Sequence, residues 1–461
     1  MPVHYDAIII GTGQAGPSLA VRLAKAGQRV AVIERNRFGG TCVNTGCIPT
    51  KALVASARVA HMARRAGEFG VEIGGPISVD MKRVKARKDE IAGASETGVE
   101  KWLRSTPNCT VYKAQAKFLS DREIRAGDAS LTADRIFINV GARAAIPDIA
   151  GLHDVNYLTN SSMMNLDFAP PHLVIVGGSF IGLEFAQMYR RFGSQVTILE
   201  RGPRLIGNED PDVSDTVREI LEREELGIRL NAEIGGVVRT SEGVEVRTSS
   251  GAVRGSHVLI ATGRRPNTDD LGLENTGIRM NEHGHIQVDD ELRATAPNVW
   301  ALGDCNGRGA FTHTAYNDFE IVAANLLDND RRRVTDRITA YALYTDPPLG
   351  RAGLTESQVA DSGRPALIGK RPMTRVGRAV EKGETQGFIK ILVDAETKYI
   401  LGAAILGTEG DEAIHCILDV MYAKATYTVL QRSVNIHPTV SELIPTVLGD
   451  LKPLQSAVRP T

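Results

Sequence analysis

The residues best suited to chemistry lie in one run, Phe-Gly-Gly-Thr-Cys-Val-Asn-Thr-Gly-Cys-Ile-Pro-Thr-Lys over positions 38–51. Cys42 and Cys47 stand close enough for a small-loop disulfide, with Gly39, Gly40 and Gly46 around them. Such glycines let the backbone turn sharply and approach a flat ligand. A loop this short gains little stability from a cross-link, so a redox role accounts for the pair better than a structural staple. Half of a zinc site, or two unrelated buried thiols, are the alternatives. Zinc needs two more ligands at matching spacing, and no second cysteine pair is present. Near the other end of the chain stands His437-Pro-Thr-Val-Ser-Glu442. An imidazole, with an ordinary pKa of about 6.5, gives and takes protons near neutrality.

Around the cysteines the spacing predicts elements able to hold a nucleotide. Residues 5–10 read as a buried strand. Gly11, Gly13 and Gly16 follow as GxGxxG, then a helix over 14–26 ended by Gly27, then a strand from Val30 to Ile33 with Glu34 at its end. The first glycine permits a tight turn, the second lets the backbone reach a pyrophosphate, and the third allows close helix–strand packing. A helix start offers unpaired N–H groups to phosphates, and Glu34 can accept hydrogen bonds from ribose hydroxyls. A shift of 166 residues carries Gly11 onto Gly177, Gly16 onto Gly182, Gly27 onto Gly193 and Glu34 onto Glu200. The chain thus holds a second unit over 172–201, with a strand at His172–Val176, Gly178 in the turn and a helix over Phe180–Phe192. Ser179 replaces the middle glycine, and its Cβ takes up some clearance. Glu200 favours NADH, because a carboxylate bonds a ribose 2′-OH and repels a 2′-phosphate. Arg201 and Arg204 soften that repulsion and leave NADPH possible.

The rest of the chain frames these units. Residues 52–104 read mostly as helix, the charged segment 79–104 as a solvated face. Short strands fill 110–140, and Pro147 to Gly151 reads as a linker. A hairpin turns at Ser241-Glu242-Gly243, and Val258 to Gly263 and Val299 to Asp304 read as strands. Strands at 338–343, 387–393 and 399–406 alternate with helices such as 409–424. Cys109, Cys305 and Cys416 read as small buried hydrophobes, and Arg331-Arg332-Arg333 as solvated surface.

The run over 38–51 closely resembles the active-site signature of the class I pyridine nucleotide-disulfide oxidoreductases, the family of dihydrolipoamide dehydrogenase, glutathione reductase and mercuric reductase. The resemblance covers nearly the whole chain. It implies an α/β fold with two Rossmann-like dinucleotide-binding domains, for FAD and NAD, plus an α+β C-terminal dimerisation domain. The implied bounds are 1–150 and 266–335 for FAD, 151–265 for NAD(P)H, and 336–461 for the interface of a homodimer. By family position Cys47 is the thiolate against the flavin and Cys42 the interchange thiol facing the acceptor. His437 becomes the acid/base, supplied by the other subunit and oriented by Glu442. Lys51 and Glu184 form an ion pair beside the flavin N5. Asp304 holds the ribityl and phosphate part, and Arg35, Gly40, Thr41, Ala116 and Gly141 complete the FAD contacts. Gly263 joins Gly177, Gly178, Gly182 and Glu200 for the nicotinamide nucleotide.

The acceptor is narrowed mostly by departures. Asn435 stands where dihydrolipoamide dehydrogenases and glutathione reductases carry a second histidine. Mercuric reductases carry a vicinal cysteine pair in the tail, and Leu451 to Thr461 has none; no N-terminal CxxC domain is expected before the first strand either. Gly178-Ser-Phe-Ile-Gly-Leu-Glu-Phe-Ala186, Phe311-Thr-His-Thr-Ala315 and Thr345-Asp-Pro-Pro-Leu-Gly-Arg-Ala-Gly353 look most like the mercuric-reductase-like branch that includes bacterial copper(II) reductases. Cys42 and Cys47 would meet a soft metal ion as thiolates. A dihydrolipoamide dehydrogenase is the alternative within the family, and a non-enzymatic flavin redox sensor the alternative outside it. No resident metal is expected.

Composition excludes other classes. The 461 residues are 42% hydrophobic and 24% charged with a formal net charge of −1. That balance gives no basic footprint for nucleic acid or an anionic membrane. No apolar run approaches the ~20 residues of a membrane span, and with Tyr5 already entering a strand no signal peptide is expected. A cytoplasmic location is the expectation.

Overall fold

The computed structural model describes residues 1–454. The end of the cysteine-free tail, 455–461, lies outside them. Strand Val3–Ile10 pairs in parallel with Val30–Glu34 on one side and with Ala129–Ile138 on the other. These strands are apolar because both faces are covered. Helix Ala15–Lys25 packs on one face, with Leu19, Ala20 and Leu23 fully buried. Cys109–Lys113 extends the sheet beyond Val30–Glu34. The far edge of Ala129–Ile138 is shared. Its first half pairs antiparallel with Glu123–Ala126, and its second half pairs in parallel with Val299–Ala301, so a segment from late in the chain returns to the first sheet. That late strand stops at Ala301, short of the expected Asp304. Gly303 takes φ 74° and starts a 3-10 turn over Gly303–Asn306.

The second nucleotide-type unit builds its own five-stranded parallel sheet, with His172–Val176 between Gln195–Leu199 and His257–Ile260. The hairpin at 241–243 belongs to a separate three-stranded antiparallel sheet. Residues 340–453 form a six-stranded antiparallel sheet, and helix Gly410–Tyr422 packs against its strands Leu349–Gly353 and Ile400–Leu406. Phe388–Asp394 and Ile400–Leu406 are buried along their whole length.

Two long helices, Cys47–Arg65 and Met81–Ser105, pack on each other. The second is not wholly a solvated face. Lys88 is buried, donates to Met164 O at 2.7 Å and pairs with Asp89. Among the described residues no helix is long and apolar enough to cross a membrane.

The middle unit and the C-terminal sheet are joined by a buried charge cluster. Arg351, on the C-terminal sheet, pairs with Glu209 and Asp210 from the middle unit, and Lys390 pairs with Asp210 at 2.9 Å and Asp212 at 2.7 Å. Asp210, Asp212 and Glu356 would suit a cation, but the Lys390 ammonium already lies among them.

Candidate active site

The geometry of the first unit starts from its glycines. Gly11 has φ 97°, and a Cβ there would lie 2.3 Å from Asn139 O. At Gly16 a Cβ would lie 2.4 Å from Gly11 O. Glu34 closes the turn: its Oε2 accepts from Thr12 N at 2.9 Å and Thr12 Oγ1 at 2.6 Å, its Oε1 from Asn36 N at 2.8 Å. The 166-residue repeat extends to these bonds. Glu200 Oε2 accepts from Gly178 N at 2.7 Å and its Oε1 from Gly202 N at 2.6 Å. Each carboxylate is thus aimed by its own backbone and keeps lone pairs for further donors. Ser179 is exposed with an ordinary φ of −108°, which explains why a side chain is tolerated there.

A cavity of about 700 Å³ runs from this turn toward the cysteines. Gly11, Gly13, Glu34 and Arg35 line one end; Gly40, Thr41, Ala116 and Gly141 follow; Cys42, Cys47, Lys51 and Glu184 line the other, with Asp304 alongside. Gly16, Gly177, Gly178, Gly182, Glu200 and Gly263 do not line it, nor do His437 and Glu442. Arg35 pairs with Asp270.

Cys47 is the first residue of the 19-residue helix Cys47–Arg65, and Cys42 lies in the short helix Gly40–Asn44. Both are free thiols. A hydrogen bond from Cys42 holds the Cys47 thiol well below its ordinary range, at about 6, helped by Thr312 and by the Lys51 ammonium against the opposing effect of burial. The same bond, with burial, pushes Cys42 up. The pair is therefore polarised into one thiolate and one thiol. A helix start favours the thiolate as well.

Lys51 reaches across to Glu184 on helix Phe180–Phe192, with Nζ 3.0 Å from Oε1 and 2.8 Å from Oε2. His437 Nδ1 lies 3.0 Å from Glu442 Oε2, on an exposed segment away from the cavity. Val434 and Ile436 beside it are almost wholly exposed.

Several lining residues escaped the sequence reading. Thr312 Oγ1 lies 3.0 Å from Cys47 Sγ. Asn139 braces the first turn through Gly16 N, at 2.9 Å. Arg264 donates to Ala142 O at 2.6 Å and pairs with Asp304 at 3.1 Å, while its Nε is buried without a partner. For Thr312 the signal was at hand in the Phe311-to-Ala315 stretch, but nothing local links it to a cysteine 265 positions away.

Residues 5–318 match the family model described as pyridine nucleotide-disulphide oxidoreductase, and residues 339–448 match its dimerisation domain. The chain belongs to this family. It is 37% identical over 446 residues to a probable pyridine nucleotide-disulfide oxidoreductase, RclA, of Escherichia coli, covering 95% of this chain and 97% of that one. It is 32% identical over 451 residues to a mercuric reductase of Streptomyces lividans, covering 95% and 94%. The solved Cu(II) complex of the HOCl-induced flavoprotein disulfide reductase RclA from Escherichia coli superposes with a TM-score of 0.89 at 36% identity, over 97% of this chain and 100% of that one.

This oxidoreductase is therefore an enzyme that uses FAD and NAD(P)H. Its residues fit the flavin nucleotide. Gly11 and Gly13 line the cavity with bare backbone where a pyrophosphate would approach, Glu34 is aimed for a ribose, and the unpartnered Arg264 Nε beside Asp304 offers a buried donor on the cavity wall.

Proposed function

We propose that this chain is an NADH-dependent reductase that passes electrons through the Cys42–Cys47 pair to a thiol-reactive metal ion, copper(II) in the first place. The observation that carries the reading is the polarised thiol pair lining one cavity with the nucleotide turn and the Lys51–Glu184 ion pair. In this reading the flavin domain comprises 1–150 and 266–335, the nucleotide domain 151–265 and the interface 336–461. When bound, FAD supplies the two-electron step between the pyridine nucleotide and the cysteines.

The chain's own residues do the rest. Gly11, Gly13, Gly16, Arg35, Gly40, Thr41, Ala116, Gly141 and Asp304 hold the flavin nucleotide with Glu34. Gly177, Gly178, Gly182, Gly263 and Glu200 hold NADH. Glu184 fixes the Lys51 ammonium on the cavity wall near the cysteines, where it would stabilise negative charge on a reduced flavin. Opening the disulfide takes two electrons and one proton, leaving Cys42 as thiol and Cys47 as thiolate. Two Cu(II) ions then take one electron each, the disulfide re-forms, and one proton leaves Cys42. His437 of a second copy, oriented by Glu442, takes that proton. A cytoplasmic location follows from the need to keep the pair reducible.

Support for a metal acceptor comes from the likeness to an enzyme solved with Cu(II). Steady-state turnover with NADH and lipoamide, oxidised glutathione, Cu(II), Hg(II) or a quinone tests it. Cu(II) should give the highest kcat/KM. Strong lipoamide turnover without metal reduction would replace the reading with a dihydrolipoamide dehydrogenase. Failure of every acceptor would favour a redox sensor.

A further inference from the structure

The Lys51–Glu184 pair is held by a third part of the chain. Tyr344 stands just past strand Ala340–Leu343 of the C-terminal sheet and lines the same cavity. Its backbone N–H donates to Glu184 Oε1 at 3.1 Å. Its ring lies under the Lys51 ammonium, with Nζ 4.4 Å from the centroid. Glu184 is nearly buried, so its carboxylate needs every donor it has. Oε1 takes two, Lys51 and the Tyr344 backbone; Oε2 takes Lys51. Lys51 is about one third exposed, and its long stem has many rotamers to lose. A carboxylate alone leaves the ammonium free to swing around it. A ring face adds a second fixed point and keeps water from that side of the charge.

We propose that Tyr344 is a positioning residue: its peptide N–H fixes Glu184 and its ring fixes Lys51, so that the C-terminal sheet sets the charge geometry of a site built by the two nucleotide units. The inference rests on the role given above to Lys51 and Glu184, but the clamp itself is read separately. The ring and the backbone bond divide cleanly by substitution. Tyr344→Phe keeps both. Tyr344→Leu and Tyr344→Met keep the N–H and remove the ring, and two such variants guard against one that fails to fold.

The test uses the FAD-loaded protein. Lys51 is labelled with a small acylating reagent and its modification rate is read by peptide mass spectrometry; flavin reduction by NADH is followed in parallel by stopped flow. The ring-less variants should label Lys51 about fivefold faster and reduce the flavin about tenfold more slowly. Tyr344→Phe should match the parent in both. Unchanged Lys51 labelling in the ring-less variants, or an equal change in Tyr344→Phe, overturns the clamp. Faster labelling with unchanged flavin reduction keeps the clamp and overturns the role assigned to the ion pair.

Discussion

A thiol that begins a helix, accepts a hydrogen bond from a second thiol and lies near an ammonium is ionised where ordinary thiols are not. Cys47 meets all three conditions. Burial pushes the other thiols up, Cys109 to about 11 and Cys305 to about 12. Between about pH 6 and the ordinary 9.0, Cys47 alone should carry charge. The reduced parent protein, which keeps the Cys42 donor, when titrated by ultraviolet thiolate absorbance should therefore lose one thiolate as pH falls toward that lower limit. A midpoint at the ordinary thiol value counts against the assignment. The Cys42→Ser variant should lose thiol-dependent turnover by at least about a thousandfold, while NADH still reduces its flavin. Loss of flavin reduction as well, in folded and loaded protein, would contradict the separation of roles. The acidic and thiol members of the site were legible because each sits at a set distance from a glycine signature. Thr312, Asn139, Arg264 and Tyr344 were not, because packing between distant segments brings them to the cavity.

At the scale of elements, the two nucleotide units repeat down to single hydrogen bonds. Thr12 N and Asn36 N hold Glu34; Gly178 N and Gly202 N, at the shifted positions, hold Glu200. A carboxylate fixed in this way cannot swing aside for a 2′-phosphate. Stopped-flow reduction of the flavin should accordingly favour NADH over NADPH by at least about tenfold in apparent affinity. A clear preference for NADPH would mean that Arg201 and Arg204 dominate the pocket instead. Strands and helices of both units could be read from apolar runs between glycines, since buried parallel strands leave that pattern. The early stop of the strand at Ala301 could not, because it depends on the left-handed backbone of Gly303. Lys88 misled for the same kind of reason: its charge faces Met164 O, from a segment 76 residues away.

Over the whole molecule, the middle unit and the C-terminal sheet are welded by charge. Arg351 and Glu209 are each 1% exposed. Removing one partner of a buried pair strands the other in a poor solvent. Arg351→Leu should cost about 3–5 kcal/mol in urea denaturation, with Glu209 and Asp210 left facing each other. A loss under about 1 kcal/mol would mean that water reaches the cluster. None of this was visible in the sequence, where Arg351 is one residue of a glycine-flanked strand.

His437 and the thiol pair occupy different places on a single chain, and Val434 and Ile436 beside the imidazole face outward. If each active centre borrows its imidazole from a neighbour, two crippled proteins can repair each other. Cys42→Ser and His437→Ala subunits, each inert alone, would on mixing and re-pairing form hybrids with one working centre of two. By statistical pairing under two-fold symmetry, about a quarter of the parent activity should return. Genetically the locus would then show complementation between alleles, a behaviour reserved for sites that no single polypeptide owns.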